Sequence, residues 1–311
     1  MKNNQLMIYG AYGYAGELMV REAVAQGLRP IIAGRDDEKL KPIATELSLE
    51  CRAFGVRNTG SNLQDISVLL NCAGPFSATA EPLARACLAQ QIHYLDITGE
   101  IDIFRKCHAL DEEARQQNVL ILPGAGTDIV PTDCLAAMLK EKLPVATRID
   151  LALSFGTNPS IGTVNTMIES FGKGGLIREG GMLKVVSNAF QMRKIPFQNK
   201  PQWAMTIPWG DVFTSGISTG VPDGAVYMPR MSIYMIRLTN PVKGILNTQF
   251  GQKITKRLAG WLMKKGPDAK ALEAGRGQFW GEAEAPDGEK LEMTMSTPNV
   301  YALTATVGIR I

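Results

Sequence analysis

Residues 7–20 read MIYGAYGYAGELMV, an apolar run, three glycines spaced three apart, then a stretch with helical periodicity. This order constrains the fold more than any other feature, because a strand passing straight into a helix through a bare turn opens a βαβ unit. Residues 6–9 supply the strand. Leu18, Val20, Ala23 and Val24, set against Glu17, Arg21, Glu22 and Gln26, supply the helix, and Gly27 stops it. Gly10, Gly13 and Gly16 allow a tight turn, close approach of an anion to backbone N–H groups, and close packing of helix on strand. With Tyr12, Tyr14 and Ala15 they form the expected pyrophosphate cradle, since a helix N-terminus offers N–H donors and the positive end of its dipole. The spacing GxxGxxG is a variant of the GxGxxG dinucleotide fingerprint. An ordinary glycine-rich turn is the competing reading, and the strand–turn–helix context favours nucleotide binding.

The same alternation continues. Strands are expected at 6–9, 30–34, 51–54, 68–72, 93–97 and 119–123, with helices at 37–47, 81–90 and 102–117, which makes a doubly wound parallel α/β sheet. A chain of 311 residues with 45% apolar content can bury a sizeable core, and its length suggests two domains. The rhythm changes after residue 130. The expected division is a nucleotide-binding domain at 1–130 and an α+β substrate domain at 131–311. In the second we expect a helix at 132–143, strands at 148–155, 225–228 and 232–236, a helix at 241–265, and a hairpin at 279–296 turning at Asp287-Gly288.

Several function classes are disfavoured. The net charge is +3, with no basic stripe of the kind nucleic acid requires. No apolar window reaches eighteen residues, and the N-terminus enters a strand without an apolar leader, so no membrane span and a cytoplasmic location are expected. Five cysteines without a CxxC pair read as free thiols in a reducing compartment. No metal site is expected, because the only histidines, His93 and His108, have no ligand company and read as structural. No tyrosine has a lysine four residues on, and no GxxxxGK[ST] occurs.

Cofactor choice is read at the end of the second strand, where NAD-type chains carry an acid for the ribose hydroxyls and NADP-type chains place an arginine nearby. Here the sequence is IIAGRDDEKL. Gly34 takes the acidic position, Arg35 follows and Lys39 lies one helical turn on, so NADP(H) is expected, with Asp36 and Asp37 at the helix start. The loops beyond the strand carboxyl ends are Asn71-Cys72-Ala73-Gly74-Pro75-Phe76, Thr98-Gly99-Glu100 and residues 124–128. Gly74-Pro75 offers a rigid surface for a nicotinamide ribose, with Asn71, Cys72, Ala73, Thr98 and Gly99 around it. Glu100 and Asp128 are the candidate catalytic acids, and first-turn helix carboxylate is an equal reading for each. Asp133 is expected to cap the following helix. Arg178, Lys184 and Arg276 are candidates for a substrate carboxylate, although solvated surface is favoured for each. The run Gly172-Lys173-Gly174-Gly175 reads as a loop rather than a second phosphate site.

The segments GAYGYAG, AGRDDEKL, NCAGPF, YLDITGE and GAGTDIVPTD, in this order and spacing, resemble the saccharopine dehydrogenase-like NADP-binding oxidoreductases, a family that includes trans-acting enoyl reductases. IPWGDVFTSGISTGVPDGAVYM and FWGEAEAPDG are similar to segments of its shorter bacterial members. The resemblance implies a Rossmann domain followed by an α+β domain that mediates homodimerisation. It also implies hydride transfer with a small substrate at a C–N, C=N or C=C bond, in the cleft between the domains, and relatives that continue past the Tyr301 segment. A non-catalytic NADP(H)-binding sensor or scaffold is the competing reading.

Overall fold

The computed structural model describes residues 5–156, 174–197, 200–229 and 269–311. The chain divides into two compact units, Met1–Asp128 together with Tyr301–Ile311, and Ile129–Val300.

In the first unit, strands β1 (Leu6–Tyr9), β2 (Ile31–Gly34), β3 (Cys51–Ala53), β4 (Val68–Asn71), β5 (His93–Asp96) and β6 (Ile121–Leu122) form a parallel sheet in the order β3-β2-β1-β4-β5-β6. The order reverses between β1 and β4, so the crevice where ligands bind in such sheets opens at the carboxyl ends of these two strands. Helices α1 (Tyr14–Ala25), α2 (Asp37–Leu47), α3 (Phe76–Ala89), α4 (Ile101–His108) and α5 (Asp111–Gln116) cover both faces. The central strands are therefore almost continuously apolar, and alternate residues serve opposite cores. Met7, Tyr9, Ile31, Leu69 and Tyr94 pack with Phe76, Leu83 and Ile103 on one side. Ile8, Ile32, Leu70 and Leu95 pack with Met19, Val20 and Leu40 on the other.

Two helices depart from the expected bounds. The helix placed at 81–90 begins at Phe76, because Pro75 stands at its N-cap with φ −73° and the buried stripe Phe76, Ala80, Leu83, Ala84, Cys87 and Leu88 starts there. The single helix placed at 102–117 is two. Leu110 turns into the core at the joint, its N–H donating to the Cys107 carbonyl while its own carbonyl starts the second helix through Ala114.

The second unit begins with α6 (Val130–Lys142) and β7 (Arg148–Ser154). A two-stranded hairpin of β8 (Gly175–Glu179) and β9 (Met182–Val186) follows, then β10 (Met192–Ile195), β11 (Gln202–Ile207), α7 (Asp211–Thr219), β12 (Val226–Pro229), α8 (Ala269–Ala274), β13 (Gly277–Glu284) and β14 (Lys290–Thr297). Its mixed sheet runs β10-β11-β12-β7-β13-β14. The β13–β14 turn is where Asp287-Gly288 signalled it, with Gly288 at φ +89° and the Glu289 N–H donating to the Asp287 carboxylate at 3.0 Å. α6 lies close on the sheet, since a Cβ at Gly281 would stand 2.6 Å from Leu139 Cδ1. Buried Glu282 meets Arg193 at 2.9 Å, and that guanidinium sits 4.7 Å from the Trp280 ring centre. The expected strand 232–236, helix 241–265 and residues 172–173 lie outside the described residues.

The last helix, α9 (Val300–Arg310), was not expected, because its small apolar residues run round every side and give no stripe. From Tyr301 onward the chain belongs to the first unit rather than to the second, as the linear boundary had placed it. Thr304 Oγ1 accepts the Thr127 N–H at 3.1 Å, Ala305 joins the Ile8 core, and a Cβ at Gly308 would reach Ala125 O at 3.2 Å. Among the described residues no helix is long and apolar enough to cross a membrane.

Candidate functional site

The three glycines of the first turn do different things. Gly10 has φ +85°, and a Cβ there would lie 2.7 Å from Ala73 N, so this position locks the turn against the loop after β4. A Cβ at Gly16 would lie 2.2 Å from Gly10 O, so Gly16 lets α1 close onto the turn. Gly13 is different. It is the N-cap of α1 at φ −74°, ψ 159°, a conformation open to any residue, and its Cβ position meets only Gly10 O at 3.2 Å. Its bare side therefore faces open space at the helix N-terminus, where the dipole favours an anion. The Gly10 and Ala11 N–H groups are tied to the Ala33 carbonyl of β2 at 2.7 and 3.2 Å, which fixes the turn beside the next recognition element.

That element is the end of β2. Gly34 is buried and Arg35 exposed. Lys39 pairs with Asp36 at 2.8 Å and lies 5.7 Å from the Tyr12 ring centre, with Arg35 near enough to oppose its charge. One cation thus lies beside the Tyr12 ring and a second near that cation, at the strand end where a 2′-phosphate is read in folds of this topology.

The loops beyond β4 and β5 are held from behind by a buried polar network. Asp96 accepts the Tyr94 hydroxyl at 2.8 Å and the N–H groups of Thr98 and Gly124 at 2.9 and 3.0 Å. Burial raises its carboxyl pKa to about 6, against the lowering pull of those three donors. Asn71 donates to Tyr94 Oη at 3.1 Å and Thr79 Oγ1 at 3.2 Å, while its carbonyl oxygen accepts the Ala73 N–H. Of the expected cofactor contacts, then, Asn71 and Thr98 are fully buried and spend their side chains on the loops, and Cys72 turns its thiol 3.1 Å from the Met19 sulfur. Gly74 and Pro75 are exposed, Ala73 is partly so and Gly99 is buried, so the outward surface here is largely backbone.

Both candidate acids lie in these loops. Glu100 is buried at the N-cap of α4 and makes no capping hydrogen bond with its side chain, although its N–H donates to Thr98 Oγ1 at 3.1 Å. Asp128 is partly buried, which raises its pKa to about 7, and Ile129 rather than Asp128 stands at the N-cap of α6. The Glu100 carboxylate therefore does not cap α4, and Asp128 stands one residue before the N-cap of α6. Asp133, expected to cap α6, instead accepts the Ser218 hydroxyl of α7. Arg178, expected at the surface, is buried, donating to the carbonyls of Val212 and Val221 and to Ser215 Oγ, where it braces α7. Lys184 pairs with Glu179, and Arg276 binds the carbonyls of Glu273 and Gly275. His93 accepts the Leu120 N–H, a structural role. Among the described residues no group of three or more His, Cys, Asp or Glu is placed to hold a metal.

Sequence reasoning missed Asp96, Tyr94, Tyr301 and Thr304. Tyr301 packs edge-on against Tyr14, the first residue of α1, with ring centres 5.1 Å apart. Thr304 holds the Thr127–Asp128 loop. A polar residue ending a buried strand, Asp96 after HYL, was the one signal available for the network.

Residues 6–122 match the family profile described as the saccharopine dehydrogenase NADP binding domain. A saccharopine dehydrogenase-like oxidoreductase of Rattus norvegicus is 25% identical over 231 residues, covering 65% of this chain and 53% of the relative. A candidate trans-acting enoyl reductase of Mycobacterium tuberculosis is 28% identical over 205 residues, 59% of this chain and 44% of that protein. The chain spans about half the length of the curated relatives it matches. Among solved structures, the apo saccharopine dehydrogenase (L-Glu forming) of Saccharomyces cerevisiae aligns with a TM-score of 0.64 over 99% of this chain and 90% of that one, at 9% identity, a likeness of fold.

Proposed function

We propose, for a chain whose residues 6–122 match a saccharopine dehydrogenase NADP binding domain, that it is an NADP(H)-dependent oxidoreductase acting on a C=N, C–N or C=C bond of a small organic substrate. The observation that carries this reading is the open side of Gly13, which leaves room for a pyrophosphate at the N-terminus of α1. The cofactor supplies or takes up the hydride when bound. The chain's part is to bind, orient and move a proton. Tyr12, Gly13, Tyr14 and Ala15 present backbone to the pyrophosphate, Arg35 and Lys39 meet the 2′-phosphate, and Gly74-Pro75 with Gly99 support the nicotinamide end. Incubation with NADPH and a panel of imines, oxo acids and enoyl thioesters tests the reading. Consumption with one class supports it, and tight NADPH binding without consumption by any class would favour a sensor.

Arg35 can make two parallel charge-assisted bonds to a phosphate, and Gly34 has no carboxylate for a free 2′-hydroxyl. Such a bond is worth about 1.5–3 kcal/mol, which corresponds to a preference for NADPH over NADH of roughly 10- to 150-fold. Arg35→Glu should remove that preference by weakening NADPH and leaving NADH nearly unchanged. Parallel titrations at fixed ionic strength measure it, and a variant that still prefers NADPH shows that the phosphate is read elsewhere.

Asp128 serves as the proton donor in the reductive direction. A carboxyl with a pKa of about 7 is half protonated at neutral pH, the condition general acid catalysis favours. Since the protonated form is the active one, kcat should fall as pH rises through about 7. Asp128→Asn should lose that limb and ~100-fold or more in turnover, with NADPH affinity unchanged. Glu100→Gln, run alongside, separates the two acids. An Asp128→Asn enzyme with the wild-type pH profile would leave Asp128 without a catalytic role.

A further inference from the structure

We propose that Tyr12 is a specificity-determining residue, holding the space in which a ribose-reading carboxylate on β2 would have to stand. The inference rests on the cofactor assignment above and deepens it. Gly34 occupies the place where NAD-type proteins carry Asp or Glu. Its backbone is outside the left-handed region, so conformation does not demand glycine there. Space does. A Cβ at Gly34 would lie 2.6 Å from Tyr12 Cε1, 3.3 Å from Cδ1 and 3.5 Å from Cζ. The ring edge therefore lies against the bare Cα, and any side chain at this position must push the ring aside.

The ring's surroundings give that displacement a consequence. Lys39 lies 5.7 Å from the ring centre and is held by Asp36 at 2.8 Å, with Arg35 close enough for the two cations to oppose each other. The Tyr12 ring thus lies against Gly34 and has Lys39 beside it. With the ring in place, a carboxylate can neither reach a 2′-hydroxyl from position 34 nor neutralise those two cations. Introducing Asp at Gly34 costs the phosphate site its geometry without creating a hydroxyl site. Removing the ring frees the space, so the two substitutions are coupled and a change of cofactor needs both.

Four proteins test this: wild type, Gly34→Asp, Tyr12→Ala and the double variant. The first readout is the melting temperature without nucleotide. Gly34→Asp should lower it by about 3 °C or more in the Tyr12 protein, and by much less in the Tyr12→Ala background. Where Gly34→Asp does not fold, Gly34→Ala adds only the Cβ and reads the same clash. The second readout is fluorescence titration with NADPH and NADH. Gly34→Asp alone should lose about 10-fold or more in NADPH affinity through charge repulsion and gain nothing for NADH, while the double variant should bind NADH about 10-fold or more tighter than Gly34→Asp does. Equal melting penalties in the two backgrounds, or a Gly34→Asp protein that gains NADH unaided, would overturn the role of Tyr12 and leave the NADPH assignment intact. Equal wild-type affinity for the two nucleotides would instead overturn the cofactor assignment on which the inference rests.

Discussion

Gly13→Val should fold and bind NADPH at least about 100-fold more weakly than wild type. The fold is expected to survive because φ −74°, ψ 159° suits valine, and its Cβ meets only one carbonyl oxygen, at 3.2 Å. Valine is a poorer N-cap than glycine, a cost of about 1 kcal/mol that still leaves a folded chain. Binding fails because the added methyl groups occupy the approach to the first turn of α1. Losing two charge-assisted bonds there, at about 1.5–3 kcal/mol each, accounts for the factor. Gly16→Val is the contrast. Its Cβ would overlap the Gly10 carbonyl at 2.2 Å, so α1 is forced off the turn and the variant should fail to accumulate as a folded protein. Circular dichroism and nucleotide titration separate the two. A folded Gly13→Val protein with wild-type affinity removes the pyrophosphate from this turn.

Asp96→Ala should destabilise the first unit by ~3 kcal/mol or more, because it strips an acceptor from two buried N–H groups and a buried hydroxyl at once. Asp96→Asn should be far milder. Its carbonyl oxygen can accept the Thr98 and Gly124 N–H groups that share Oδ1, so the loss is confined to the Tyr94 hydroxyl, whose acceptor becomes an amide NH2. The two variants also part in their pH dependence. The folded-state pKa of Asp96, about 6, lies above the ordinary 3.8. The folded protein therefore holds this proton more tightly, and the resulting stability is fully present below pH 3.8 and lost as pH rises through about 6. Across that window the urea midpoint of the wild type should fall relative to that of Asp96→Asn and run parallel above it. Parallel behaviour throughout would mean that Asp96 titrates as an exposed aspartate does.

These two sites differ in how far the sequence disclosed them. The β1 turn was legible because everything it needs is local: three glycines, an apolar run before them and an amphipathic helix after. Strands β2, β4 and β5 were legible for the same reason, as short apolar runs bounded by turn residues. The start of α3 was not, because Ser77, Ala78 and Thr79 read as loop until Phe76 is seen to enter the core. The joint at Leu110 was hidden because helical periodicity carries through it. What escaped altogether joins residues far apart in the chain. Asp96 depends on Gly124, Thr127 on Thr304, and Arg178 on Val212 and Val221, and no spacing rule links such pairs. The separate duties of Gly10, Gly13 and Gly16 likewise follow from what stands opposite each one.

The return of α9 to the first unit has a consequence for biosynthesis. Residues 1–128 are synthesised before Ile129–Val300, and translating that stretch delays α9 by on the order of tens of seconds. During that delay, Met19, Ala125 and the Thr127 N–H wait for Gly308, Ala305 and Thr304 to arrive. The nascent nucleotide-binding half thus carries an open apolar seam beside its glycine turn, a place where a chaperone can engage it.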